Sequence, residues 1–233
     1  MHVYLEGDSE GDERSRASDM VSYRILALRR KREQPIEQET GMNYTDLADE
    51  RFRQGKFREA VQYYDRALKK APSNFRALHN KGLALFALSK FDLSIECYDS
   101  ALALKPDALS VKLKKAISLN CKRDFEKARE LLSDIISQDS MNTEALNARA
   151  LAEFHLGLDD EGIADLEQAL AIDANYTMAW NNLGSFYLGL GKLDDAIACF
   201  DRTLAIDVHN YDALLLKDMA LERKEKRVNY AEA

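Results

Sequence analysis

The stretch Trp180-Asn-Asn-Leu-Gly-Ser-Phe-Tyr187, followed by Ala196-Ile-Ala-Cys-Phe200, decides the fold of this 233-residue chain. Apolar and small residues recur in both runs at helical spacing, and Gly189 and Gly191 stand between the runs. This arrangement predicts two helices, joined by a short turn, that approach closely at their small residues. A single pair of this kind could arise by chance, so its weight depends on whether the pattern repeats.

The pattern repeats five times in phase. Residues 41–210 divide into five blocks of 34 residues without insertion or deletion, namely 41–74, 75–108, 109–142, 143–176 and 177–210. Counted from the start of each block, offsets 8, 20 and 27 carry mostly small residues, which let two helices pack closely. They are Ala48, Gly82, Ala116, Ala150 and Gly184, then Ala60, Ser94, Ala128, Gly162 and Ala196, then Ala67, Ala101, Ile135, Ala169 and Thr203. The constant period predicts a stack of similar helical units.

These blocks resemble the tetratricopeptide repeat, whose signature is W-x2-L-G-x2-Y followed by A-x3-F and a late proline. The residues that carry the resemblance in blocks five and one are Trp180, Leu183, Gly184, Tyr187, Ala196 and Phe200, then Tyr44, Leu47, Ala48, Ala60, Tyr64, Ala67 and Pro72. Blocks three to five lack the late proline, and block three departs most, with Leu132 and Ile135 in place of an aromatic residue and an alanine. The resemblance implies an all-α, right-handed superhelical solenoid of antiparallel helix pairs.

Turn and cap signals within the blocks agree with this fold. Offset 15 should end the first helix, since glycine best adopts the left-handed conformation that closes a helix, and it holds Gly55, Ser89, Arg123, Gly157 and Gly191. An acidic residue then begins the second helix, where the helix dipole favours it, as at Glu59 and Asp194. No stretch alternates with period two, so the sequence predicts no sheet.

Two segments flank the blocks. Residues 1–40 begin with acidic residues and glycines, which predicts partial disorder, and could form a short helix over 19–34 that includes the basic run 29–32. This segment could be a solvated lead-in, could dock into a groove of the same or a neighbouring copy, or could contact a membrane surface or nucleic acid. Residues 211–233 predict a capping helix and a tail, because the last unit of a stack needs a cover.

Composition and charge narrow the class of protein. The net charge of −7 disfavours nucleic-acid binding, and no apolar run is long enough to span a membrane. The N-terminus lacks the features of a signal peptide. The three cysteines fall in different blocks, too far apart for a disulfide, so the sequence predicts a cytoplasmic protein with free thiols.

No pattern of catalytic residues is present. Common nucleotide-binding, hydrolase and metalloprotease motifs are missing from the sequence. His79 and His155 lie two blocks apart, on the order of 20 Å given the usual spacing of packed helices, and so cannot share a metal ion. The sequence therefore predicts a protein that is not an enzyme, without a cofactor or a metal.

Function is instead expected on the surface of the first helices. The resemblance implies that offsets 2, 5, 6, 9, 12 and 13 face a concave groove. The predicted groove residues are Arg76, His79, Asn80, Leu83, Phe86, Lys114, Asn120, Asn147, Phe154, His155, Asn181, Asn182 and Ser185. Asparagine amides carry donors and acceptors that could pair with the main chain of a bound peptide. The alternative is that Asn80 and Asn182 only bond neighbouring helices.

These residues predict an interaction scaffold or adaptor that binds a partner peptide or helix in the groove. Some members of the family grip chaperone C-terminal carboxylates with a basic and asparagine clamp. Only scattered positions match that clamp here, and Asp49 would repel a carboxylate, so chaperone tails are not expected. The alternative function is a self-assembling structural protein that uses the N-terminal segment or the end helix.

Overall fold

Antiparallel helix pairs follow one another along the chain. The computed structural model describes residues 43–231, with side chains as far as Arg227, and this range contains eleven α-helices and no strand. The helices are α1 Tyr44–Arg53, α2 Phe57–Lys70, α3 Phe75–Ala87, α4 Phe91–Leu104, α5 Leu109–Lys122, α6 Phe125–Gln138, α7 Thr143–His155, α8 Asp159–Ile172, α9 Thr177–Gly189, α10 Leu193–Ile206 and α11 Tyr211–Ala231. The predicted all-α solenoid is confirmed. The predicted helix over 19–34 and the rest of residues 1–40 lie outside the described residues.

The first helix of every pair ends in the same turn. The residue at offset 15 is left-handed in all five pairs, with φ between 57° and 75°. The following N–H donates back to a carbonyl five residues earlier, at 2.9 Å in each pair, as from Lys90 to Leu85. This bond satisfies a carbonyl that the end of a helix would otherwise leave without a partner. Ser89 and Arg123 adopt the turn without being glycine, so the packing of the pair imposes it.

Close contact within each pair depends on the small residues. All those at offsets 8, 20 and 27 are buried. In blocks two and five, the glycine at offset 8 lies under an aromatic ring from offset 24 of the second helix. A Cβ added to Gly82 would lie 2.4 Å from the Tyr98 ring, and one added to Gly184 would lie 2.7 Å from the Phe200 ring. In these two blocks the absence of a side chain at offset 8 therefore allows the close approach of the two helices.

Blocks three and four solve the same packing problem with other residues. There offset 8 is alanine and offset 24 is leucine, the buried pairs being Ala116 with Leu132 and Ala150 with Leu166. A smaller side chain from the second helix thus accompanies a larger residue on the first. Total volume is conserved across the contact, which is the kind of exchange that a packed core tolerates best.

Successive first helices pack side by side. Helix α1 contacts α3, α3 contacts α5, α5 contacts α7, α7 contacts α9, and α9 contacts α11, whereas the second helices of residues 43–231 make no such contacts with one another. The first helices are therefore more closely spaced than the second helices. They form one continuous inner surface along the stack, and the second helices lie on the outer side.

A buried ion network joins α6, α7 and α8. The Glu153 carboxylate, 3% exposed, lies 3.0 Å from Arg129 Nε and 3.7 Å from Arg149 Nε. Arg149 also makes two bonds of 2.7 Å to Asp165. Burial raises the pKa of Glu153, and the bond from Arg129 acts against that rise. Because removing one partner would leave a buried charge unpaired, the network favours a single packing of these three helices.

Helix α11 covers the end of the stack. Its basic side chains donate to carbonyls where α9 ends, from Arg223 to Leu188 at 3.5 Å and from Arg227 to Gly191 at 3.3 Å. Its own residues Ala213 and Ala220 are buried against Leu188, Ala196 and Phe200 of the last pair. Its outer face is not uniformly polar, since Tyr211 is 78% exposed and Leu215 is 62% exposed.

Adding a methyl group at offset 8 of the fifth block should separate α9 from α10. We expect Gly184→Ala to lower the free energy of unfolding by about 1–3 kcal/mol, because overpacking against Phe200 outweighs the gain in helix propensity. In a Phe200→Leu background, which reproduces the pairs of blocks three and four, the same change should cost nothing or stabilise. Urea unfolding of the four proteins measures the coupling. An equal loss in both backgrounds would contradict this account of the contact.

Candidate functional site

The predicted groove residues all lie on first helices. Arg76, His79, Asn80, Leu83 and Phe86 are on α3, Lys114 and Asn120 on α5, Asn147, Phe154 and His155 on α7, and Asn181, Asn182 and Ser185 on α9. Arg76 and His155 are exposed, and most of the others are half-buried. Asn147 is only 3% exposed. Its amide therefore faces the neighbouring helix and is not open to a partner.

Three asparagine amides bond neighbouring first helices. Asn80 donates to Asp49 Oδ1 at 2.8 Å, and Asn182 donates to Asn147 Oδ1 at 2.8 Å. Asn120 donates to the carbonyl of Ala148 at 2.7 Å. These contacts agree with the alternative interpretation of Asn80 and Asn182, in which their amides bond neighbouring helices. They hold successive first helices in register and so shape the inner surface.

The Asp49 carboxylate is the centre of a hydrogen-bond network in the first two blocks. It accepts from the Tyr64 hydroxyl at 2.5 Å and from Asn80, while Arg76 Nε lies 3.4 Å away. Burial, together with the adjacent Asp49, raises the pKa of Tyr64 far above its ordinary value, so the phenol remains a donor. The carboxylate thus ties α1, α2 and α3 together on the inner surface.

A pocket opens on the inner surface between α3 and α5. Its volume is about 210 Å³, and it is lined by Leu83, Phe86, Tyr98, Lys114, Ile117 and Glu144. The ion pair between Lys114 Nζ and Glu144 Oε1, 2.5 Å long, is part of its lining. Three predicted groove residues, Leu83, Phe86 and Lys114, therefore contribute to one cavity, whose other walls are mainly apolar.

Tyr98 is the buried polar group beside this pocket. The residue is 0% exposed, and its hydroxyl has no hydrogen-bond partner among the described residues. Burial raises the pKa of Tyr98 to about 12, although the nearby Ser94 hydroxyl opposes the rise. Ser94 itself donates to the carbonyl of Gly82 at 2.8 Å. The Tyr98 phenol is thus protonated and enclosed within the helix pair.

Histidine and aromatic side chains fill other parts of the inner surface. Burial lowers the pKa of His79, which keeps it neutral at neutral pH, and its Nε2 is buried without a partner among residues 43–231. The Phe154 ring stacks on Phe186 at 4.2 Å, and the His155 ring stacks on Phe125 at 4.4 Å. Phe154 and His155 therefore pack against aromatic side chains of neighbouring helices. No group of three or more His, Cys, Asp or Glu residues that could hold a metal ion occurs in the described part of the chain.

Comparison with known proteins assigns the family. Two sequence models described as tetratricopeptide repeat match residues 45–108, 113–177 and 178–210. The chain belongs to the tetratricopeptide repeat family. This confirms the resemblance on which the groove residues were placed.

Relatives of this tetratricopeptide repeat chain are distant and longer. RNA polymerase II-associated protein 3 of Xenopus laevis is 25% identical over 204 residues, which cover 79% of this chain and 29% of the relative. BBSome complex member BBS4 of Bos taurus is 25% identical over 195 residues, 69% of this chain and 37% of the relative. The solved structure of PilW, a widely conserved type IV pilus biogenesis factor, has a TM-score of 0.69 at 23% identity and covers 80% of this chain and 88% of its own. The chain thus spans about a third of the length of these curated relatives, and the PilW likeness shows the fold.

None of the helices in residues 43–231 is long and apolar enough to cross a membrane.

Sequence reasoning missed Tyr98 and did not single out Asp49 as a network centre. Both follow from comparing equivalent offsets between tetratricopeptide repeats. Offset 24 is tyrosine in the first two blocks, but the groove residue at offset 9 changes from Asp49 to Leu83. A phenol that has an acceptor in block one therefore has none in block two, and this difference could have been read from the sequence.

Removing the two phenol hydroxyls should have opposite effects. We expect Tyr64→Phe to lower the free energy of unfolding by about 1–3 kcal/mol, because it deletes a bond to a carboxylate. Tyr98→Phe should leave stability unchanged or raise it by up to about 1 kcal/mol, because it removes a buried donor without a partner. Parallel urea titrations compare the two variants. A larger loss for Tyr98→Phe than for Tyr64→Phe would contradict the assigned bonding.

Proposed function

We propose that this chain is a cytoplasmic, non-enzymatic scaffold that binds an extended peptide or a helix of a partner protein along its inner surface. The observation that carries the proposal is the side-by-side packing of α3, α5, α7 and α9, which makes one surface out of four repeats. Stacked repeats bind partners on extended concave surfaces of this kind. A partner that lies across several helices buries surface area against each of them.

The chemistry of the inner surface supports a peptide ligand. Half-buried apolar side chains, among them Leu83, Phe86 and Leu151, are placed between polar groups that are already bonded to the scaffold. Such a surface is preorganised, so little binding free energy is lost in ordering its side chains when a partner binds. Bonded amides such as that of Asn120 fix its shape, and the apolar side chains offer area to bury.

Further features support the remaining parts of the proposal. The three cysteines Cys97, Cys121 and Cys199 are free, which is typical of a reducing compartment such as the cytoplasm. The relatives named above are described as associated with a polymerase and as a member of a complex, that is, as proteins that act with other proteins. The net charge of −7 does not favour nucleic acid as the partner.

Charging the inner surface should abolish partner capture. We expect Leu83→Lys with Leu151→Lys, on α3 and α7, to reduce recovery of partner proteins by more than about tenfold, because an apolar contact is replaced by a charge that must be desolvated. The measurement is affinity capture from cells that produce the protein, quantified by mass spectrometry.

The matched control carries the same chemical change on the outer side. Leu93 and Leu104 of α4 are 45% and 41% exposed, so Leu93→Lys with Leu104→Lys adds the same charge away from the proposed site. The control should capture partners as the unmodified chain does, and both variants should keep their helical circular dichroism. Loss of capture by the control alone would place the binding surface on the second helices.

Self-association through α11 is a second candidate function. Tyr211, Leu215 and Leu221 are 78%, 62% and 38% exposed on the helix that ends the stack. Apolar side chains gathered on one element mark interaction sites in many proteins. We expect light scattering to show a mass above that of one chain, which Leu215→Glu with Leu221→Glu should return to the monomer value. A monomer at all concentrations would exclude this function.

A further inference from the structure

A repeated polar contact joins most neighbouring blocks on the outer side. The acidic residue at offset 25 of one block pairs with the lysine at offset 7 of the next, with an Nζ–Oδ1 distance of 2.6 Å at three junctions. The pairs are Asp65 with Lys81, Asp99 with Lys115, and Asp201 with Lys217. Between blocks three and four the same two offsets hold Ser133 and Arg149, which bond at 3.2 Å. A basic residue at offset 7 thus bonds the preceding block at four of the five junctions.

The junction of blocks four and five departs from this pattern. Offset 25 is again acidic, Glu167, but offset 7 is Leu183, which carries no charge and is 4% exposed. Within the described part of the chain Glu167 takes part in no ion pair or hydrogen bond, and the same holds for Asp195 on α10. This junction therefore keeps the carboxylate of the pair and lacks the cation.

A groove opens at the same junction. Helices α8 and α10, both within the described residues, do not contact each other, and the space of about 470 Å³ between them lies against α9. This volume is within the range of roughly 300–1,000 Å³ found for ligand sites. Glu167 and Asp195 line the groove from α8 and α10, and Trp180 and Tyr187 line it from α9. Burial raises the pKa of Tyr187, and Glu167 and Asp195 add to the rise, so both carboxylates act on the same part of the groove.

The equivalent groove between α4 and α6 is supplied with cations by the chain itself. Its volume, about 480 Å³, is similar. Lys115 in its lining pairs with Asp99 at 2.6 Å. Lys127, which stands at the offset of Asp195, also lines that groove. Two grooves of similar size thus differ in charge, because one holds two lysines where the other holds Leu183 and Asp195.

The fourth block is the acidic part of the chain. Residues 143–176 hold eight acidic residues and one arginine, a net charge of −7. Blocks one to three, by contrast, hold 18 basic and 14 acidic residues, a net charge of +4. A surface of one sign attracts ligands of the other sign. The groove therefore lies where a cation is favoured.

The aromatic side chains of the groove favour arginine among the cations. The Trp180 indole N–H donates to the carbonyl of Ala174 at 2.9 Å, which fixes the ring. Arg202 and Lys192 each lie 5.6 Å from a ring centre, that of Trp180 and of Tyr187, and neither pairs with the two carboxylates. A guanidinium stacks on aromatic rings and donates two hydrogen bonds to a carboxylate, whereas an ammonium is a strongly hydrated point charge.

We propose that the groove between α8 and α10 binds an arginine side chain in a basic segment of a partner protein. The guanidinium takes the role that the cation of offset 7 has at the other junctions, and it lies beside Glu167 and Asp195. Its aliphatic part packs against Trp180 and Tyr187. This site goes beyond the proposed function, because it lies between second helices and takes a segment other than the one on the inner surface.

The test uses short peptides and the fluorescence of Trp180, the single tryptophan of the chain. Acetyl-triarginine amide is titrated into the full chain at about 0.1 M salt, and half-saturation is expected on the order of 1 mM. Acetyl-tricitrulline amide, in which a neutral urea replaces each guanidinium, should bind at least about tenfold more weakly. Acetyl-trilysine amide should bind about threefold more weakly than triarginine, because an ammonium does not stack on the rings.

Two double variants separate the groove from the general charge of block four. Glu167→Gln with Asp195→Asn should weaken triarginine binding by about tenfold or more, because both carboxylates of the groove are lost. Asp160→Asn with Glu161→Gln removes the same two charges at the start of α8, outside the groove, and should change binding by less than about threefold. All four side chains are exposed, so circular dichroism should show unchanged helicity in both variants.

A single change supplies the missing cation from within the chain. In Leu183→Lys the new ammonium should pair with Glu167 as Lys115 pairs with Asp99, and triarginine binding should weaken by about tenfold. No response of Trp180 to triarginine up to about 20 mM would overturn the proposal. Equal binding of tricitrulline or trilysine, or equal losses in the two double variants, would also overturn it.

Discussion

The contact between offset 8 of each first helix and offset 24 of each second helix is the constraint from which the rest of the structure follows. A Cβ added to Gly82 would lie 2.4 Å from the Tyr98 ring, and one added to Gly184 would lie 2.7 Å from the Phe200 ring. The separation of two helices is set by the side chains between them. Because the same offsets recur every 34 residues, the five pairs have similar geometry, and successive first helices pack side by side.

The inner surface changes character where the blocks differ. The backbone and the turn at offset 15 are common to all five pairs, so they carry no information about a partner. In the first block Asp49 satisfies the Tyr64 phenol, and the inner surface there is bonded to itself. In the second block Leu83 replaces the acceptor, and a cavity and an unpartnered Tyr98 hydroxyl appear together. Departures from the repeat are thus the places to look for specificity.

Periodicity predicts the local features of this chain well. The buried small residues and the left-handed turns depend on offsets within one block, and the sequence shows these directly. The roles of the asparagines were harder to predict, because the acceptor of Asn80 is Asp49 and that of Asn182 is Asn147, each a full block away. Family offsets place a side chain on the inner surface but do not say whether a neighbour already uses its amide. Asn147, whose amide oxygen accepts a hydrogen bond from Asn182, is buried and so is not available to a partner.

The end of the stack shows another limit of sequence reasoning. A helix that covers the end of a stack should present a polar outer face, yet Tyr211 and Leu215 of α11 are largely exposed. A pattern can place an apolar residue on a helix, but whether a neighbour covers that residue depends on contacts between helices, which the pattern does not show. The burial of Ala213 and Ala220 of α11, by contrast, is indicated by the sequence, because small residues are typical of a helix interface.

Hydrogen exchange of the complex with a captured partner tests the central claim most directly. If the first helices form one binding surface, amide protection should increase in α3, α5 and α7 together and stay unchanged in α4, α6 and α8. Protection concentrated in the second helices, or confined to α11, would contradict the account. The measurement follows all pairs at once and needs no substitution.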